Sequence, residues 1–217
     1  MKEKVIINGG KKLKEKVIIF GSGGQGKVVA QVLEAAGAEI LGFIDDNRRT
    51  WGKKVLGYPV LGGKDKLSEL EKCGFIIGIG DNRVRKELYQ TLLAMGFTPA
   101  TAIDPSARIH RSVQIGRGTV VLPGVVINAD TQIGENCILN TTASIDHDCL
   151  IGEHTHIAPN CSLGGGVAVG DITLVGIGST VLPGIRIGSS VIVGGGSVVV
   201  KYLPDGVTAF GVPAKSR

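Results

Sequence analysis

Aromatic side chains are scarce in this chain: five Phe, three Tyr and one Trp among 217 residues. The basic residues are scattered and no aromatic-rich recognition motif accompanies them, which argues against nucleic acid as a partner. A long apolar run is also missing. The N-terminal stretch MKEKVIINGGKKLKEK is charged and has no extended apolar core, so the expectation is neither a signal peptide nor a membrane span. Cysteine is sparse, with four in all. Together with the expected lack of a secretory leader, this predicts a reducing, cytoplasmic setting.

What is present is aliphatic carbon and glycine. Hydrophobic residues make up 43% of the chain, and there are 34 glycines. Such a composition excludes disorder and points to a repetitive β structure. The length allows one large domain or two small ones. A net charge of +5 leaves two readings open: an ordinary basic surface, or attraction to phosphorylated small molecules. The pentapeptide EKVII occurs at 3–7 and again at 15–19. Only the second copy runs into a glycine loop, so residues 1–14 are read as an N-terminal extension.

The second half obeys a period of six. Every sixth residue from Ile103 to Val199 is aliphatic, seventeen in succession without a slip. Four places after each stands a mostly small residue, as at Thr119, Thr131, Cys137, Ala143, Cys149, Cys161 and Ser179. This is the hexapeptide repeat of a parallel β-helix. Three hexads make one coil, and strands of successive coils stack about 4.8 Å apart. The aliphatic and the small positions fill the interior.

The repeat resembles that of the left-handed β-helix acyltransferases. The closing segment VVVKYLPDGVTAFGVPAKSR is similar to theirs as well. The resemblance implies a homotrimer in which acetyl-CoA lies in the groove between neighbouring subunits and a catalytic histidine faces that groove.

The stretch SIDHDCLIGEHTHIAPNC, residues 144–161, holds three of the four histidines and two of the four cysteines. The register assigns directions to these side chains. Cys137, Cys149 and Cys161 occupy the small inward position, twelve residues apart and hence on three faces of the prism. They are expected to be buried core thiols, ill placed to share a metal and poor as nucleophiles. His147 is third in its hexad, the place held elsewhere by Pro105, Pro123, Pro159 and Pro183. Proline cannot donate to a β ladder, so this place is a corner. With eighteen residues to a coil, His147 stacks between Ala129 and Gly165, both small. Asp146 and Asp148 flank it. By itself a corner histidine is either a solvated surface group or a base, and an adjacent carboxylate would favour its protonated form and orient the ring. His110 and His154 are expected at the surface. His147, His154 and His156 are suitable ligand types for zinc, but their hexad positions differ, so no metal is expected.

DHDC followed by HIAP resembles one branch of these enzymes, the bacterial nucleotide-sugar acetyltransferases of the PglD/NeuD-like group. These include the enzymes that make diacetylated bacillosamine and N-acetylperosamine. The resemblance implies His147 as general base, Asp148 as the residue that raises its basicity, and His156, Ile177 and Gly195 as acetyl-CoA contacts. Gly165 and the run Gly194–Gly196 are candidate backbone donors for the oxyanion or the pantetheine carbonyls, because glycine lets N–H groups approach closely.

The first half reads strand, glycine turn, helix, strand in VIIFGSGGQGKVVAQVLEAAGAEILGFIDDN. Gly21, Gly23 and Gly26 fit G-x-G-x-x-G, with Asp45 about twenty residues on, which alone is a dinucleotide fingerprint. The helix expected after Gly26 offers an N-terminus to phosphate, and Asp81-Asn82 stands where a second helix would begin. Residues 15–100 are short for a complete dinucleotide fold. This domain too resembles that of the nucleotide-sugar acetyltransferases. The resemblance implies substrate contacts at Gly23, Gly24, Gln25, Asp45, Asp46 and Gly80. Many members carry histidine where this chain has Gln25, which puts any ring contact there in doubt.

The expected architecture is α/β plus all-β. An extension over 1–14 precedes a small Rossmann-like domain over 15–100 that binds a nucleotide sugar. A left-handed parallel β-helix over 101–217 follows, binding acetyl-CoA and performing the transfer. The expected acceptor is the 4-amino group of a UDP-linked 4-amino-dideoxy sugar, with acetyl-CoA as co-substrate. The alternatives are a sugar O-acetyltransferase, a nucleotide-binding protein without activity, and an NAD-dependent oxidoreductase.

Overall fold

The computed structural model describes residues 6–7, 16–70 and 72–216. Among them no helix is long and apolar enough to cross a membrane. The chain divides into two compact units, residues 1–105 and 106–217.

The first unit is a parallel sheet with two helices. Its strands are β1 (Ile6–Ile7), β2 (Lys16–Phe20), β3 (Glu39–Ile44), β4 (Lys54–Val55), β5 (Tyr58–Gly62), β6 (Gly74–Ile77), β7 (Thr98–Pro99) and β8 (Thr101–Ile103). The main sheet runs β4-β5-β3-β2-β6-β7, and all its pairs are parallel except β4 with β5. The run Val17–Phe20 is wholly buried, as befits a central parallel strand covered on both faces. Strand order reverses at β2, whose neighbours are β3 and β6. The carboxyl ends of strands at such a switch point are where open α/β sheets bind ligands.

Helix α1 (Gly24–Ala35) turns Val29, Val32 and Leu33 inward. It starts at Gly24, earlier than the expected start after Gly26. Gly26 therefore lies in the first turn, where a Cβ would stand 1.9 Å from the carbonyl oxygen of Gly21. Helix α2 (Asn82–Ala94) starts as expected. The Asp81 side chain caps it by accepting from the N–H groups of Arg83 and Val84, each at 2.9 Å. Phe20, Phe75, Tyr89 and Phe97 belong to this unit's core. Of the extension expected over 1–14, only Ile6–Ile7 falls among the described residues. That pair lies parallel to β8, Ile6 opposite Thr101, so the two EKVII copies enter different sheets.

The second unit is a left-handed parallel β-helix. Up to the last coil each strand pairs in parallel with the one eighteen residues on, Leu139 opposite Ile157 and Ile145 opposite Leu163, and the helix closes with Ile192 opposite Thr208, sixteen residues on, and an antiparallel pair, Ala209 opposite Ser216. Its three faces are made of two-residue strands. The first face includes Ile138–Leu139, His156–Ile157, Leu174–Val175 and Ile192–Val193. The second includes Val126–Ile127, Ser144–Ile145, Ser162–Leu163 and Thr180–Val181. The third includes Gln132–Ile133, Leu150–Ile151, Ala168–Val169 and Arg186–Ile187. The hexad aliphatics from Val121 to Val199 are all buried, each worth roughly 1.5–3 kcal/mol relative to exposure. Ile109 and Ile115, in the first coil, are half-buried.

The small inward position does more than fill space. Its side chains donate to the carbonyl fifteen residues on: Thr131 to Asp146 at 2.7 Å, Thr173 to Gly188 at 2.7 Å, Ser179 to Gly194 at 3.0 Å. Cys137, Cys149 and Cys161 make the same bond through sulfur, at 3.1, 3.3 and 3.1 Å. They are fully buried on three different faces. Burial pushes the Cys149 and Cys161 thiols above their ordinary value, which keeps them protonated and inert.

Candidate functional site

Two places in the chain collect the chemistry. In the first unit a pocket of about 520 Å³ opens at the carboxyl ends of β2, β3 and β6. It is lined by all six residues expected there, Gly23, Gly24, Gln25, Asp45, Asp46 and Gly80, together with Lys64. Its glycines divide into two kinds. Gly21, Gly26 and Gly78 hold backbone against backbone, and a Cβ on Gly78 would lie 2.5 Å from the Gly26 Cα. Gly23, Gly24 and Gly80 have nothing within 4 Å of where a Cβ would be, so the chain leaves open space there. Gly23 caps α1 without a side-chain hydrogen bond, and no acidic residue stands in the first turn. The helix N-terminus thus faces the pocket with its positive dipole end unneutralised, a setting that favours anions.

The two carboxylates differ. Asp45 is engaged internally. One oxygen accepts from both the N–H and the hydroxyl of Ser22, and the other accepts from the Asn47 N–H at 2.9 Å. Burial would raise its pKa, but these bonds outweigh burial and hold it below the ordinary value. Asp45 therefore latches the glycine loop to the end of β3. Asp46 accepts from the Lys64 N–H at 3.0 Å and pairs with its ammonium at 3.2 Å. The Gln25 Nε2 is buried and bonds to no described residue.

In the second unit His147 sits at a corner, in the turn after strand Ser144–Ile145. Asp148 follows in the left-handed region at φ 57°, a conformation that aspartate tolerates better than most residues. The turn brings its Oδ2 to 2.7 Å from His147 Nδ1. Asp148 and then Asp146 raise the His147 pKa against a small opposing effect of burial. The ring is 59% exposed. On the next coil a Cβ on Gly165 would lie 2.6 Å from Nε2 and 2.7 Å from Cε1. The imidazole therefore packs over bare backbone, and Nε2 makes no hydrogen bond to a described residue. With Nδ1 donating to Asp148, Nε2 is the lone-pair nitrogen and can accept a proton.

The residues expected around acetyl-CoA fall into two groups. His147 and Gly165 share one edge of the prism, between the second and third faces. Ile177 and Gly195 share the edge between the first and second faces, where a Cβ on Gly195 would come within 3.1 Å of the Ile177 side chain. His156 stands on the first face, its Nε2 3.0 Å from the Asn140 amide nitrogen. One chain does not bring the two groups together. Neither Gly165 nor Gly195 uses its N–H in a bond to a described residue.

One expectation is corrected. His154 is not at the surface: it is 5% exposed, and its Nδ1 lies 2.9 Å from the Asn136 amide nitrogen. The side chains of Asn136 and His154 are buried against each other, one coil apart. His110 is exposed. Among the described residues no group of three or more His, Cys, Asp or Glu could hold a metal ion. Ser22, Asn128 and Asn140 were not singled out by pattern. Each acts on a residue that was, and the eighteen-residue spacing of Asn128 from Asp146 is the one signal that sequence offers for any of them. A second groove of about 620 Å³ runs along the third face and contains none of the expected site residues.

Comparison with known proteins agrees with this geometry. Residues 16–92 match the PglD N-terminal domain, and 130–165 match the bacterial transferase hexapeptide family. The chain is 38% identical over 109 residues to UDP-N-acetylbacillosamine N-acetyltransferase of Bacillus subtilis, covering 49% of this chain and 50% of that protein. It spans about half the length of the curated relatives it matches. Among solved structures, PerB from Caulobacter crescentus, in complex with CoA and GDP-perosamine, superposes with a TM-score of 0.88 at 42% identity. The match covers 93% of this chain and 97% of PerB. The acetyltransferase domain of PglB from Neisseria gonorrhoeae, in complex with acetyl coenzyme A, gives 0.88 at 34% identity over 94% of this chain and all of that one. The chain belongs to the hexapeptide-repeat nucleotide-sugar N-acetyltransferases that carry a PglD-type N-terminal domain.

Proposed function

We propose that this protein transfers the acetyl group of acetyl-CoA to the amino group of a UDP-linked 4-amino-dideoxy sugar. The observation that carries the reading is the His147 corner: Nδ1 tied to Asp148 at 2.7 Å, Nε2 exposed over Gly165. As the amine attacks the thioester carbonyl, a C–N bond forms and the C–S bond breaks. Nε2 takes the amine proton and returns one to the departing CoA thiolate. The N–H groups of Gly165 and Gly195 are candidate donors to the developing oxyanion or to pantetheine, with His156 and Ile177 contacting acetyl-CoA. No acyl-enzyme is involved, since the inward cysteines are buried.

The first unit holds the nucleotide at the N-terminus of α1, with Gly23, Gly24, Gln25, Asp46 and Gly80 lining the pocket. The orphaned Gln25 amide is a donor that a ligand can satisfy. In this reading the working form is a cytoplasmic homotrimer. Support comes from the acetyl-CoA residues standing on two edges of a single prism, which a neighbouring copy would complete, and from four free thiols.

A second reading, a GDP-linked amino sugar, is favoured by the 42% identity to PerB, whose complex contains GDP-perosamine. A CoA-release assay on matched UDP- and GDP-linked 4-amino sugars separates the two. Turnover of the UDP sugar alone supports the first reading, turnover of the GDP sugar alone supports the second, and turnover of neither overturns both.

A further inference from the structure

One margin of the first unit's sheet carries charge that neither site above uses. β4 is the end strand of that sheet and pairs antiparallel with β5, Val55 opposite Tyr58. Between Asp46 and Asp65 the chain has no acidic residue, and Arg48, Arg49, Lys53 and Lys54 fall within seven positions of it. All four are exposed. Among the described residues none of them forms an ion pair. The base of this hairpin is firmly held. Trp51 Nε1 donates to the Asp45 carbonyl at 2.6 Å, and the Arg48 guanidinium lies 5.5 Å from the centre of the Trp51 ring. The Gly52 N–H donates to Val60 at 3.1 Å, and the Val60 N–H to Lys53 at 2.8 Å.

The tip does not match this economy. Its two-residue turn is Leu56-Gly57, with φ at 49° and 87°. Positive φ at both places is what a type I′ turn requires, and asparagine or aspartate before glycine meets that requirement. Leucine there is strained, because its Cβ crowds the carbonyl that follows, and its side chain is 49% exposed. Lysine on an edge strand guards it against pairing with other chains. That accounts for Lys54, but not for an apolar side chain kept in a strained turn in open water. Violations of local preference of this kind mark functional places.

We propose that residues 48–57 dock this protein on an anionic phospholipid surface, with the four cations among the headgroups and Leu56 entering the boundary with the acyl chains. An apolar tip ringed by Lys and Arg is the make-up of interfacial anchors. The acids nearby do not cancel the charge. Glu34 is engaged by the Tyr58 hydroxyl, and Asp46 pairs with Lys64. An acidic protein is the poorer fit. A stable protein interface takes about 800 Å² from each side around a buried apolar core, whereas the hairpin offers one leucine on a projecting turn. Trp51 ties the hairpin to Asp45, which lines the nucleotide pocket, so docking holds that pocket close to the membrane.

Co-sedimentation of the full chain with vesicles tests the proposal. The wild type sediments with mixed phosphatidylglycerol and phosphatidylcholine vesicles at low ionic strength, is released as salt screens the charges, and ignores phosphatidylcholine alone. Lys53→Gln with Lys54→Gln weakens binding roughly fivefold for each charge removed. Leu56→Asn keeps every charge and suits the turn better, so binding weakens several-fold while the melting temperature holds or rises. A leucine that served only the fold would show the opposite. Lys11, Lys12, Lys14 and Lys16, the other basic stretch, stay in every variant, so binding that they supply persists. Failure of the wild type to bind the anionic vesicles, or undiminished binding by either variant, overturns the proposal. Capture by soluble polyglutamate in preference to the vesicles also overturns it and makes an acidic macromolecule the partner.

Discussion

The two units treat glycine and aromatic rings in opposite ways. In residues 1–105 three glycines let backbones touch, and three others face an open pocket. The rings collect here as well, with Phe20, Phe43, Phe75 and Phe97 all buried. In residues 106–217 no Phe, Tyr or Trp is buried. Tyr202 and Phe210 are both exposed, and the decisive glycine, Gly165, makes room for an imidazole rather than for backbone. A sheet-and-helix unit must fill irregular space between layers, and rings do that. A solenoid has one small repeating interior, and only aliphatic and small side chains fit every coil. The pocket is thus walled by a single unit, while the histidine corner is a bare edge with its base pointing outward. One region is built to enclose a ligand and the other to present a proton acceptor.

Four substitutions break or sharpen that contrast. Gly26→Ala strikes the first region hardest, since the new methyl would sit 1.9 Å from a backbone oxygen. Overpacking of this kind costs about 1–3 kcal/mol or more. The expected result is loss of thermal stabilisation by UDP or GDP, with stabilisation by CoA retained. His147→Ala strikes only the second. It should fold, bind nucleotide and bind acetyl-CoA as the wild type does, and lose roughly 10²–10⁴-fold in kcat, measured by CoA release at saturation. Gly165→Ala is milder. Its Cβ displaces the imidazole without removing it, and misplacement on the order of 1 Å costs about 10²-fold. The check is a fall in kcat with the nucleotide dissociation constant unchanged. Cys149→Ser should change least. Serine fills the same inward place at Ser179 and Ser197, and its hydroxyl can donate to Gly164 as the thiol does. Most activity should survive with a slightly lower melting temperature, and complete inactivation of a folded variant would implicate the thiol.

Sequence made the solenoid plain because its rule is strict. An aliphatic every six residues leaves no other fold, and the register alone assigns His147 to a corner and Cys149 to the interior. What escaped depends on where in the coil a residue falls. Asp148 and His154 hold equivalent left-handed turn positions, yet one is exposed and the other buried. Asn136, eighteen residues before His154, gives the ring a buried partner. Polar pairs at that spacing, Asn136 with His154 and Asn128 with Asp146, are visible in the sequence, but only once the coil length is known. In the first unit the glycine fingerprint located the pocket. The engagement of Asp45 by Ser22 was not legible, because it depends on how the loop curls back over the end of β3.

The pH dependence of kcat, with both substrates saturating, tests the central claim most directly. Asp148 raises the His147 pKa by favouring the protonated ring, and a base must be unprotonated to act. Turnover should therefore rise with pH along a limb lying above the ordinary histidine value and then level off. In Asp148→Asn the limb should move to lower pH as the plateau drops by less than in His147→Ala, and in His147→Ala it should vanish from the residual rate. The same limb, unmoved in Asp148→Asn and still present in His147→Ala, would mean that another group takes the proton, with His156 the next to test.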